Sequence, residues 1–230
     1  MTDPTASFQA SINEYWTERA PDYDAYQQRP ERRDLDVEVW GRIWSAALPP
    51  APADVLDVGT GSGHVARLVA SLGHRVTGID LADGMLEIAR EHAARDAHPP
   101  RFLAGDAVAP DFPEGSFDAV VGRYVMWTLR DPEAAVANWV RLLRPGGVVV
   151  MADSTWFTDG FGNLYGDRPD GHLPLADARS IEEVADALRR GGLIDVTVTP
   201  LDDVLELDRT HGVAPGHDVQ LQHLLVGRRG

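Results

Sequence analysis

The sequence contains no cysteine, which excludes disulfide frameworks, thiolate metal sites and cysteine nucleophiles together. No apolar run approaches the roughly 18–20 residues that a membrane-spanning helix needs. The start, MTDPTASFQASINEYW, lacks the basic stretch followed by an apolar one that marks a secretory leader. A cytoplasmic protein with no membrane partner is the expectation. Positive charge is also scarce, since 21 basic against 36 acidic side chains give a formal net charge of -15. Such a field repels polyanions, whereas general affinity for nucleic acid comes from cations on phosphates. No nucleic-acid partner is therefore expected, although the same acidity also serves solubility alone.

What is present fits one α/β domain of 230 residues, long enough to bury a core without covalent staples. Residues 1–50 read as an N-terminal helical arm. Phe8, Ile12, Tyr15 and Trp16, then Val37, Val39, Trp40, Ile43 and Trp44, suit two amphipathic helices with a break at Gln27–Pro30. A Pro-rich linker, Leu48–Ala53, ends the arm. From 51 to 230 short apolar runs alternate with helical stretches, the pattern of β-α-β units around a mainly parallel sheet. Strands are expected near 54–58, 75–79, 101–104, 117–122 and 147–152, with helices near 63–72, 83–95 and 132–143. Asp83 suits a cap of the second of these helices, and Asp131-Pro132 a cap and first turn of the third. Residues 154–180, rich in Gly, Asp and aromatics, read as a cap over a site. A helix follows over 180–190, then strands over 193–199 and 219–226 joined by an acidic, Gly-containing connection.

The chemistry concentrates in Val55-Leu-Asp-Val-Gly-Thr-Gly-Ser-Gly63, an apolar strand running into a turn with three alternate glycines before a helix. Glycines there tolerate positive φ and let a ligand approach the backbone, and the helix start offers unpaired N–H groups. The dinucleotide pattern G-x-G-x-x-G is not met, because its third glycine position is His64. The second strand ends in Gly78-Ile-Asp80, where a carboxylate can accept from a ribose diol. An adenosyl ligand accounts for both features.

Four phrases in order, LDVGTGSG, GIDLADGML, GDA at 105–107, and FDAVVGRYVMWTLRDP with LLRPGGVVV, resemble the class I S-adenosylmethionine-dependent methyltransferases over most of residues 54–152. The N-terminal arm together with the GDA and LRPGG elements is similar to the ubiquinone and menaquinone branch. The resemblance implies a Rossmann-like fold: a mainly parallel seven-stranded sheet with helices on both faces and a late antiparallel strand. It implies S-adenosylmethionine as cofactor. Gly59, Thr60, Gly61, Ser62 and Gly63 would lie along its amino-acid half, with Asp57 near the ammonium. Asp80 would hold the ribose hydroxyls, Leu81 and Met85 would flank the adenine, and Gly105, Asp106 and Ala107 would meet the adenine edge. Arg123 and Tyr124 would face cofactor and acceptor, and Tyr15 and Tyr23 belong to an arm resembling one that folds over the cofactor. Simpler roles stay open: caps for Asp57 and Asp106, core packing for Trp16, Met85 and Trp139.

Methyl transfer from a sulfonium needs alignment and exclusion of water more than a triad. Where a general base is required, His172, His211, His217 and Tyr124 are candidates, while His64 and His74 look structural or exposed. No metal is expected, because Asp153, Asp159, Asp167 and Asp170 read as turn residues rather than as a ligand set. Trp127, Trp156, Phe157, Phe161 and Tyr165 would border the acceptor and suit a flat or apolar small molecule. The acceptor atom is open, and so are a quinone-type C-methyltransferase and a non-catalytic adenosyl-binding protein. Many small-molecule relatives form homodimers, and nothing in the sequence fixes an interface.

Overall fold

The computed structural model describes residues 4–157, 160, 165, 173–213 and 218–230. Helices α1 (Pro4–Gln27) and α2 (Pro30–Ala47) form the arm and meet at Gln28-Arg29. Pro30 is tolerated at the first position of α2, where its missing N–H has no intrahelical partner anyway. The face of α2 turned inward carries Trp40 and Trp44, stacked with centroids 5.9 Å apart, whereas Val37 is exposed.

The remaining chain alternates β1 (Asp54–Val58), α3 (His64–Ser71), β2 (Arg75–Asp80), α4 (Asp83–Ala93), β3 (Arg101–Ala104), β4 (Phe117–Arg123), α5 (Pro132–Leu142) and β5 (Leu143–Asp153). It closes with α6 (Ile181–Arg190), β6 (Leu193–Pro200), α7 (Asp202–His211) and β7 (His223–Arg229). The seven strands lie in the order β3-β2-β1-β4-β5-β7-β6, and β7 runs antiparallel to both its neighbours. This is the seven-stranded Rossmann-like sheet that the resemblance implies.

Alternation along the strands divides the core between the two faces. Leu56, Val120 and Val149 join Trp139 and Leu188 on one side, and Val55, Val121 and Val150 join Trp40, Leu68 and Leu86 on the other. Trp139 is fully buried and keeps its indole N–H satisfied on the Ala107 carbonyl at 2.8 Å.

Three boundaries differ from the sequence expectation. The cap of α4 is Ala82, and Asp83 is the first helical residue, where its charge still favours the helix start. Strand β5 begins at Leu143, which pairs with Phe117 before an irregularity returns the register at Ala119 and Val148. The acidic connection before the last strand holds α7, and β7 starts only at His223. Asp131 caps α5 by accepting from the Ala134 amide at 2.9 Å, with Pro132 at the first turn.

Strands β2 and β3 lie to one side of β1, and β4 and β5 to the other. The order therefore reverses between β1 and β4, and the carboxyl ends of these strands open a crevice there.

Candidate active site

One cavity occupies this crevice. Gly59 and Gly61 from the β1 turn, Asp80 from the end of β2, Gly105, Asp106 and Ala107 after β3, and Arg123 and Tyr124 from the end of β4 all line it. Leu81, Met85, Trp16, Tyr23, Trp127 and Trp156 line it as well. Of the residues the sequence proposed for a cofactor, Tyr15, Asp57, Thr60, Ser62 and Gly63 are not among those lining the cavity.

The glycine turn is left-handed at Gly59 (φ 63°) and Gly61 (φ 54°), a conformation that L side chains rarely adopt. A Cβ on Gly59 would fall 2.4 Å from the Val125 side chain, whereas one on Gly61 would meet only the Met85 sulfur at 3.9 Å. Gly59 is thus demanded by packing below the turn, and Gly61 leaves open space above it. Asp80 fixes the turn from the neighbouring strand, accepting from the Gly61 amide at 2.8 Å and from the Ala82 amide at 2.9 Å. A carboxylate offers about four lone-pair sites, so acceptor capacity remains on the cavity side. Burial pushes the Asp80 carboxyl up, opposed by the backbone amides it accepts from.

Asp57 lies beneath the turn, 1% exposed, and accepts from the Thr60 hydroxyl at 2.6 Å and from the Ala66 amide in the first turn of α3. Burial pushes its carboxyl up to about 7. The folded chain thus holds this proton more tightly than the unfolded chain does. The stability it contributes is complete below the ordinary carboxylate value and is lost as pH rises through about 7. Urea midpoints measured at about pH 4 and about pH 8 should fall more across that interval in the native protein than in Asp57→Asn. Equal falls in the two proteins would contradict this.

Asp106 accepts from the Val108 amide at 2.8 Å and is paired with Arg130, which also donates to Gln9 of α1 at 2.8 Å. Arg130 went unnoticed in the sequence because nothing local marks it. Tyr124 takes φ 63°, uncommon for a non-glycine residue, and donates its hydroxyl to Gln222 at 2.6 Å. Burial pushes its phenol far up, so Tyr124 acts as a donor and not as a base.

Among the base candidates, His211 ends α7 and is not among the residues lining the cavity, and His172 and His217 lie outside the described residues. The histidine that does line the cavity among the described residues is His64, at the start of α3. Its Nε2 is shielded from solvent with no hydrogen-bond partner, and burial, then the charge of Arg123, hold it well below its ordinary value. The signal available was its place directly after the glycine turn. His74, buried at 8% exposure, is not among the lining residues.

Tyr15 and Tyr165 pack edge-on at 5.1 Å, and Tyr165 accepts from the Trp16 indole at 3.0 Å, so these two brace the arm and are not among the residues lining the cavity. Phe157 sits edge-on against Trp127 at 5.0 Å, and Phe161 lies outside the described residues. Trp156 is fixed by Asp153, which also accepts from the Met126 and Ser154 amides. The Asp153 carboxylate is thereby occupied. Asp159, Asp167 and Asp170 lie outside the described residues, among which no group of three His, Asp or Glu side chains could hold a metal.

Comparison with known proteins gives a consistent set of likenesses. A family described as a methyltransferase domain matches residues 56–151. The chain is similar to a malonyl-[acyl-carrier protein] O-methyltransferase of Serratia marcescens, 30% identical over 202 residues that cover 85% of this chain and 74% of that one. It is also similar to a demethylmenaquinone methyltransferase of Thermus thermophilus, 36% identical over 140 residues and 60% of this chain, and spans 63% of that relative's length. A SAM-dependent methyltransferase structure from Methanosarcina mazei shares the fold with a TM-score of 0.61 at 18% identity, covering 81% of this chain and 96% of that one.

Proposed function

The chain belongs to the methyltransferase family, and from that premise we propose that it is an S-adenosylmethionine-dependent enzyme that methylates a small molecule in the cytoplasm. The observation that carries this reading is the placement of the β1 glycines and the β2 carboxylate on one cavity at the point where the strand order reverses.

The residues present suit the cofactor. Asp80 keeps lone pairs for a ribose diol, the open side of Gly61 admits a ligand against the backbone, and Leu81 and Met85 offer apolar cover to an adenine. The cofactor supplies a methyl group already activated on a sulfonium. What the chain adds is alignment and dryness: Trp16, Trp127 and Trp156 wall the cavity, and holding two reactants in attack geometry is worth about 7–11 kcal/mol. Where the acceptor carries a proton to lose, His64 is the histidine among the described residues that line the cavity.

Small, uncharged or singly charged acceptors fit a chain of net charge -15, and nucleic acid does not. Among the described residues no helix is long and apolar enough to cross a membrane. A second reading, methylation of a quinone-type ring, draws support from the likeness to the Thermus demethylmenaquinone methyltransferase and from the aromatic wall. The test is turnover of methyl-labelled S-adenosylmethionine with a panel of phenols, amines, thiols and reduced quinones. Formation of S-adenosylhomocysteine with at least one acceptor is expected. Binding without methyl consumption across the whole panel would favour a non-catalytic adenosyl-binding protein.

A further inference from the structure

All the basic side chains of this chain are arginines, and three of them line the cavity. Two are committed. Arg32 is paired with Asp36 at 2.8 Å and Asp208 at 2.6 Å, and Arg130 is paired with Asp106. The third, Arg123, has no ion pair and no hydrogen bond to any described residue. Its guanidinium lies 5.0 Å from the Trp40 ring centroid and 4.9 Å from that of Tyr124.

A half-buried guanidinium carries five N–H donors and cannot shed its proton. Two aromatic faces offset part of the cost of removing it from water, but they satisfy none of the donors. The nearby acids do not supply the missing partner. Asp36 and Asp208 are taken by Arg32, and Asp80 accepts from backbone amides. Among the described residues, then, the Arg123 fork presents the donors of a bidentate anion site with no described side chain bonded to it.

We propose that Arg123 is an anion-binding residue of the cavity, built to take one carboxylate group of a bound ligand. A singly charged carboxylate fits better than a phosphate, because the chain is strongly acidic and the cavity lining includes Asp80, Asp106 and the exposed Asp218. Two ligands can bring that group: the amino-acid end of the cofactor, or the methyl acceptor. The proposal rests on the adenosyl-binding reading of the same cavity.

The test is calorimetric titration of the native protein, Arg123→Met and Arg123→Lys with S-adenosylhomocysteine and with 5′-methylthioadenosine, which lacks the amino-acid end. A second arm titrates benzoate and benzamide into protein saturated with S-adenosylhomocysteine. Loss of about tenfold or more in S-adenosylhomocysteine affinity in Arg123→Met, with unchanged 5′-methylthioadenosine affinity and partial recovery in Arg123→Lys, places the cofactor's carboxylate on Arg123. Unchanged adenosyl binding with loss of benzoate but not benzamide binding places the acceptor's carboxylate there. The 5′-methylthioadenosine affinity also reports that each variant is folded. If the native protein binds S-adenosylhomocysteine, and Arg123→Met alters neither that affinity nor any benzoate binding, the proposal is overturned while the adenosyl reading stands. If the native protein binds neither adenosyl compound, the adenosyl reading fails and the proposal with it.

Discussion

Replacing Arg32 by methionine lowers the unfolding free energy by about 3–5 kcal/mol. Arg32 is 4% exposed and bridges three helices: it pairs with Asp36 on its own helix and Asp208 on α7, and donates to the Tyr26 hydroxyl at the end of α1 at 2.9 Å. It also donates to the Gly212 carbonyl just past α7. Methionine fills much of the same space, but it leaves Asp36 and Asp208 as buried carboxylates without a cation. The loss is dominated by that uncompensated charge rather than by the pair's own attraction. It should therefore shrink as pH falls and Asp208, whose carboxyl burial pushes up, takes up a proton, and Arg32→Met/Asp208→Asn should recover part of it. Urea denaturation of the three proteins at about pH 5 and about pH 8 measures this. A loss under about 1 kcal/mol at both values would mean that the network is solvated and contributes little.

Gly59→Ala is expected to destabilise the fold by about 2–5 kcal/mol and to remove adenosyl binding. Two causes add. A left-handed φ of 63° costs an L residue about 1–2 kcal/mol, and a Cβ placed 2.4 Å from Val125 Cγ2 forces a packed neighbour to move for about 1–3 kcal/mol more. Val125 follows Tyr124, so the displacement passes into the β4 end of the cavity. The two causes separate in the double variant Gly59→Ala/Val125→Ala, which relieves the clash and keeps the backbone cost. Thermal melts with S-adenosylhomocysteine titrations of Gly59→Ala, Val125→Ala and the double variant decide it. A Gly59→Ala protein with native melting and native affinity would show that the turn does not need glycine at this position.

The sheet was legible in the sequence from short valine-bearing stretches set between helical ones, as in Asp54–Val58 and Phe117–Arg123. The cap at Asp131 was legible because its chemistry is local. Helix α7 was not, since its buried face is Val204, Leu207 and the charged Asp208, which breaks the apolar period that betrays an amphipathic helix. The cavity divides in the same way. Gly59, Gly61, Asp80 and Asp106 stand at strand ends and could be placed from their own surroundings. Arg32, Gln222 and Arg130 come to the cavity from other segments and acquire meaning only through the partners that folding brings to them. That His64 lines the cavity was not legible, because helical periodicity says nothing about a residue at the helix mouth.

The function proposed for the cavity requires that the β1 turn and Asp80 form an adenosyl site. Calorimetric titration of S-adenosylmethionine, S-adenosylhomocysteine and NAD into the native protein and Asp80→Ala tests it most directly. Micromolar binding of both adenosyl ligands, weakened about a hundredfold in Asp80→Ala, with no binding of NAD, is the predicted result. Absence of adenosyl binding, or binding of NAD in its place, would contradict the account.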